Sequence, residues 1–217
     1  MNTDQLIDRL AADVTPVRRL LKPTERAALW TALALVSVAL GVVYFGVRGD
    51  YQTAWTNPGL IARLVLLAAT MWLSVVASFR LSVPGGETRA FARWWPLILL
   101  GVLVAVSAGE VVAAWLVGTA GSPLRSWTCV RKVAFVGVVP AVVSVTLIAR
   151  GFAIEPRWTA LLGVLAAGAA GALTSELACP IQAPMHIMLW HIAPVVVCTG
   201  IGALVGTLVV ERFRTRR

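Results

Sequence analysis

The sequence predicts an all-α, polytopic membrane protein with six transmembrane helices and both termini in the cytoplasm. Three observations carry that expectation. The 217 residues are 59% hydrophobic and 13% charged, about half the charged fraction of an ordinary soluble domain, and mean hydropathy is +0.83. The apolar residues gather into six runs, each near the ~20 residues that cross a bilayer at 1.5 Å rise per residue. The basic residues flank those runs with a strong bias to one side. The formal charge of +9 is therefore read as the positive-inside bias of a membrane protein, and direct nucleic-acid binding is not expected.

Residues 1–26 form a polar cytoplasmic tail of mixed charge. No cleavable signal peptide is expected, because the first apolar run is too long for an h-region. Asn2 or Thr3 caps a helix, and Asp4 sits in its first turn, where the helix dipole favours a carboxylate. Leu6, Leu10, Val14, Val17 and Leu21 then recur at three- and four-residue spacing, with Ile7 alongside. They make one apolar stripe, which Pro16 kinks or ends. So short a helix is marginal alone in water and needs a surface to lie against. The bilayer surface is one such surface. The three aspartates of the first part favour a groove on another protein, because membrane-surface helices carry mostly basic residues on their polar face. Arg18, Arg19, Lys22 and Arg26 suit the inner leaflet.

The six spans are expected at 27–47, 60–79, 95–117, 133–149, 158–177 and 187–210, within a sensor bundle over 27–211. A basic cytoplasmic terminus, 212–217, follows. The fourth span is short and the sixth has length to tilt. The charges singled out inside them are Arg63, near an end, and Glu110, well within. Gly163, Ala167 and Gly171 recur every fourth residue, and Gly202 and Gly206 form a GxxxG, so these faces pack closely. Fourteen Lys and Arg residues fall on the side of the termini and five on the other. That places Trp30, Trp94, Trp95 and Trp158 at the inner boundary.

The same bias puts Cys129, just before the fourth span, and Cys179, just after the fifth, on the extracytoplasmic side, where disulfides persist. Three readings of the pair stand open: a structural disulfide, a redox- or metal-responsive pair, or two inert thiols. His186 and His191 follow Cys179 closely, with Met185 and Met188, and soft donors of this kind suit zinc, copper(I) or cadmium. No standard zinc-ligand spacing is present, and five residues put the two histidines about 140° apart on an α-helix. Met188, His191 and Cys198 share a helix face instead, although Cys198 also reads as a small buried hydrophobe. Glu110, costly within a span, is expected to pair with His191, Arg131 or Lys132, or to make a packing hydrogen bond.

The tail segment Thr3-Asp4-Gln5-Leu6-Ile7-Asp8-Arg9-Leu10-Ala11, with Pro16-Val17-Arg18-Arg19-Leu20, resembles the start of the NrsF-type membrane anti-sigma factors. So does Phe79-Arg80-Leu81-Ser82-Val83-Pro84-Gly85. Cys129-Val130-Arg131, Pro140 and the stretch from Cys179 to Trp190-His191 fall where that family has its later motifs. The resemblance implies a bacterial inner-membrane protein that is not an enzyme and needs no cofactor. It implies that the tail, through Leu6, Ile7, Leu10, Val14, Val17 and Leu21, holds an extracytoplasmic-function (ECF) sigma factor under non-stress conditions. It also implies that Cys129 and Cys179 respond to heavy metal or oxidant. The soft-donor chemistry of the stretch, read from the residues themselves, adds Glu110, His186 and His191 as supporting groups and Cys129, Cys179, His186 and His191 as a candidate metal-ligand set. A membrane thiol oxidoreductase lacks its CxxC here. A small metal or solute transporter lacks a charged pathway across the membrane.

Overall fold

A computed structural model describes residues 2–12, 21–85, 93–119, 126–151, 153 and 155–215. The chain begins with α1 (Thr3–Ala12). Asn2 caps it: its side-chain oxygen accepts from the Gln5 amide at 2.8 Å, and the Gln5 side chain accepts from the Asn2 amide at 3.1 Å. This reciprocal pairing satisfies two donors that a helix start leaves open. No residue of α1 is buried. Leu6, Ile7, Leu10 and Leu21 are exposed, while Val14 and Val17 lie outside the described residues.

The spans follow. They are α2 (Pro23–Phe45), α4 (Pro58–Leu81) after the short α3 (Tyr51–Ala54), α5 (Trp95–Leu116), α6 (Trp127–Ala149) and α7 (Pro156–Ala178). Last come α8 (Pro184–Ile187), a π turn (Met188–Ile192) and α9 (Ala193–Thr215) in one continuous rod. Pro23, Pro58, Pro156 and Pro184 open their helices, where a missing N–H costs nothing. Among the described residues, six helices are long and apolar enough to cross a membrane, and the predicted all-α, six-span architecture holds.

The fourth span is not short. It begins at Trp127, so Cys129, Arg131 and Lys132 lie in its first two turns. The charges there do not end the helix, because Lys132 Nζ donates to the Ala178 carbonyl at 2.8 Å.

Helix α7 is the centre. Most of it is buried by α4, α6 and α9, with α2 alongside. Its alanines and glycines are what allow so many neighbours. A Cβ on Gly171 would collide with the Val133 carbonyl of α6, and one on Gly206 of α9 with Ala160. A Cβ on Gly137, midway along α6, would meet the Ala167 carbonyl, midway along α7, at 3.0 Å. The small-residue stripes read from the sequence are thus the surfaces of closest backbone approach.

Trp30 departs from expectation. It is 1% exposed rather than at the headgroup boundary, on a buried α2 face shared with Ala27, Ala34, Val38 and Gly41. The flanking alanines leave room for the indole, whose N–H donates to the Pro140 carbonyl at 2.9 Å. Trp30→Phe should keep the packing and lose this bond, costing about 1 kcal/mol. Thermal unfolding in detergent, compared with Trp95→Phe at an exposed site, measures it.

One end of the bundle is tied by Arg26, buried at the start of α2. Its guanidinium donates to the Phe79 carbonyl and the Ser82 hydroxyl at the end of α4, and to the Leu147 carbonyl near the end of α6. A cation there satisfies carbonyls that helix ends leave open and suits the negative end of each dipole.

Candidate functional site

At the other end of the bundle, the starts of α4, α6 and the π turn meet the ends of α5 and α7. Asn57 turns the chain into α4, its side chain accepting from the Gly59 and Leu60 amides. A Cβ on Gly59 would fall 2.6 Å from Glu110 Oε1, so the missing side chain is what admits the Glu110 carboxylate. One turn further on, Arg63 Nη1 donates to both Glu110 oxygens, at 2.9 and 2.7 Å. Its Nε donates to Glu176 Oε2 at 3.3 Å and its Nη2 to Gln182 Oε1 at 3.0 Å. Arg63 therefore joins α4, α5, α7 and the segment before α8.

Glu176 is fully buried. Its second oxygen lies 2.7 Å from His191 Nδ1. A carboxylate only accepts, so Nδ1 carries a proton, and in the neutral ring Nε2 keeps its lone pair. That Nε2 is buried without a hydrogen bond of good geometry. The His186 and His191 rings meet edge to face, with centroids 5.3 Å apart. His186 Nε2 is 3.6 Å from the sulfur of Cys129 and 3.6 Å from that of Cys179, and the two sulfurs are 3.6 Å apart and unbonded. The donor atoms of Cys129, Cys179, His186 and His191 all lie within 4.8 Å of one another, and all four residues are buried.

The surroundings fix this geometry. Ser175 donates to the Cys129 carbonyl at 3.2 Å, and Arg48 to that of Glu176 at 3.2 Å. With Lys132 on Ala178, two cations thus close the end of α7 just before Cys179. Arg48 also grips Asp50 through two hydrogen bonds. These hold the Asp50 carboxyl below its usual range and the Arg48 guanidinium above its own. The Cys129 sulfur, and then burial, push the Cys179 thiol up.

Several expectations are corrected here. Glu110 pairs with Arg63 rather than with His191, Arg131 or Lys132. Cys129 is inside its helix rather than before it. His186 and His191 are neighbours, because the intervening turn closes i→i+5, from the Ala193 amide to the Met188 carbonyl. Residues five apart on such a turn stand nearly above one another, and π turns of this kind recur at functional sites. The same extra residue removes the face that Met188, His191 and Cys198 were expected to share. Cys198 lines a separate apolar crevice with Val164 and Gly168. Glu176 was missed, although it lies inside the fifth predicted span and answers to the same cost of burying a carboxylate that singled out Glu110.

A family model described as negative regulator of sigma F, NrsF, matches residues 10–211. The chain belongs to the NrsF family. It is accordingly a multi-pass membrane anti-sigma factor, a regulator with a sigma factor as its partner. The NrsF match takes in all six spans and every residue of the thiol cluster. Leu6 and Ile7 precede it and Leu10 stands at its edge. The carotenogenesis protein CarR of Myxococcus xanthus is 33% identical over 186 residues, covering 85% of this chain and 76% of that protein. No solved structure matches the chain.

Proposed function

We propose that this protein holds an ECF-type sigma factor at the bacterial inner membrane through residues 1–26, and releases it when Cys129 and Cys179 meet heavy metal or oxidant. Both termini then face the cytoplasm, and the thiol cluster faces outward, as the charge bias requires. One observation carries the reading: a buried thiol pair, ringed by ionisable groups, sits at the end of the bundle opposite the one from which the tail leaves. An exposed apolar stripe on α1, with Leu6, Ile7 and Leu10 unburied among the described residues, supports a groove on the sigma factor as its destination. Burial of both cysteines, 2% and 3% exposed, works against thiol exchange with another protein. The ionisable cluster stops at one end, which works against a solute pathway.

The test is membrane co-purification of the sigma factor together with reporter expression from its promoters. Replacing Leu6, Ile7 and Leu10 by Asp should abolish retention and leave the reporter constitutively high, with the thermal stability of the bundle unchanged. Replacing Cys129 and Cys179 by Ser should keep retention and silence induction by cadmium or diamide. A coupling of about 1–3 kcal/mol corresponds to a roughly 5–150-fold change in affinity, so the release should fall in that range. Full retention by the tail variant, or full induction in the cysteine variant, would overturn the corresponding half.

A further inference from the structure

We propose that Cys129, Cys179, His186 and His191 form a tetrahedral site for a d10 cation of the zinc and cadmium class, with Glu176 as the residue that positions His191. This deepens the sensing role proposed above, and rests on that reading only for its consequence in the cell.

The distances carry the proposal. A tetrahedral ion with metal–sulfur bonds of about 2.3 Å and metal–nitrogen bonds of about 2.0–2.1 Å places its two sulfurs about 3.8 Å apart and each sulfur about 3.6 Å from each nitrogen. The observed edges are 3.6 Å between the sulfurs and 3.6 Å from each sulfur to His186 Nε2. Three of the four donors therefore already stand at coordination spacing, and an ion entering between them requires shifts of a few tenths of an ångström. The fourth donor supplies independent evidence. His191 Nε2 is one of nine buried side-chain atoms without a hydrogen bond of good geometry among the described residues, and it is the one that belongs to the cluster of soft donors. The other nitrogen of that ring is held by the Glu176 carboxylate. Carboxylate on one nitrogen and ion on the other is the arrangement that fixes the tautomer and raises the basicity of a ligating histidine.

The chemistry balances without oxidant or reductant. A divalent cation enters, the two thiol protons leave to solvent, two metal–thiolate bonds form and two neutral imidazole nitrogens donate their lone pairs. The loaded centre is neutral, which suits its burial. Thiolate and imidazole together favour zinc and cadmium over magnesium or calcium, which take oxygen donors. A disulfide is a different event: it would draw the sulfurs from 3.6 Å to about 2.05 Å and leave both histidines without an ion.

The test uses the reduced, metal-free full-length protein in detergent, titrated with zinc chloride and with cadmium chloride. One equivalent should bind and protect Cys129 and Cys179, but not Cys198, from alkylation. X-ray absorption at the zinc edge should show two sulfurs near 2.3 Å and two nitrogens near 2.0–2.1 Å. Glu176→Gln should weaken zinc binding about 10–100-fold with the two-sulfur, two-nitrogen spectrum retained, an effect that loss of packing alone would not give. His191→Ala should lose one nitrogen from the spectrum. No binding by the folded wild-type chain, a spectrum without nitrogen, or unchanged affinity in His186→Ala and His191→Ala would each overturn the site. The site and the cellular reading fail separately. If zinc binds as described but replacing both cysteines by Ser leaves cadmium induction intact, the site stands and the sensing role falls. If zinc does not bind but the same replacement silences induction, the site falls and thiol sensing stands.

Discussion

Arg63→Met should lose about 3–5 kcal/mol of stability, the cost of stranding a buried charge by removing its partner. Three groups lean on this guanidinium, and they come from different parts of the fold: Glu110 on α5, Glu176 on α7 and Gln182 before α8. Glu176 has no exposed surface from which to recover hydration, whereas the Glu110 side chain keeps 27% of its own. The burden therefore falls on Glu176, and through it on His191. Arg63→Lys should recover only part of the loss, because one ammonium cannot reach three acceptors in the directions a planar fork does. Glu110→Gln should be milder than either. Reversible unfolding in mixed micelles measures the series. Equal stability of Arg63→Met and wild type would refute the account.

The second large effect is expected at Gly171. A Cβ there would sit against the carbonyl oxygen of Val133 and 2.9 Å from both its carbonyl carbon and its Cα. These are backbone atoms of a helix and cannot turn aside as a side chain would. Gly171→Val must push α6 away from α7, at a cost at or above the upper end of the usual overpacking range of about 1–3 kcal/mol. Gly101→Ala and Gly109→Ala, where an added Cβ meets nothing within 4 Å, should be neutral or slightly stabilising, because alanine is the better helix former. The yield of monodisperse protein and its unfolding midpoint compare the three. A neutral Gly171→Val would mean that α6 and α7 are not so closely packed.

The six spans were legible because hydrocarbon thickness and helix rise leave few ways to arrange long apolar runs. The asparagine cap and the glycine faces were legible for similar local reasons. What the pattern hid was tertiary. Nothing near Arg131 and Lys132 signals that carbonyls at the end of α7 await a cation, so the fourth span was drawn too short. Trp30 looks like a boundary tryptophan until Pro140 is seen opposite it. Glu110 was recognisable as costly, but its partner was settled by Gly59, whose missing side chain clears a route to Arg63. The histidine pair was hidden by a change of helical period, which an i, i+4 reading cannot register. Glu176 was within reach of the same rule that found Glu110.

The Arg26 tie has a mechanical consequence. Helices α4 and α6 carry Arg63 and Cys129 near their first turns, and at their far ends the Phe79 and Leu147 carbonyls that share the Arg26 guanidinium. Between those ends α6 touches α7 most closely where Val133 meets Gly171, one turn beyond Cys129. A 23-residue helix is a rod of about 34 Å, and a rod held near one end is a lever. If α6 tilts by about 1 Å at the thiols, its other end swings roughly three times as far the opposite way, by the rigidity of so regular a helix. That swing moves the Leu147 carbonyl against the Arg26 guanidinium, at the residue where the tail joins the bundle.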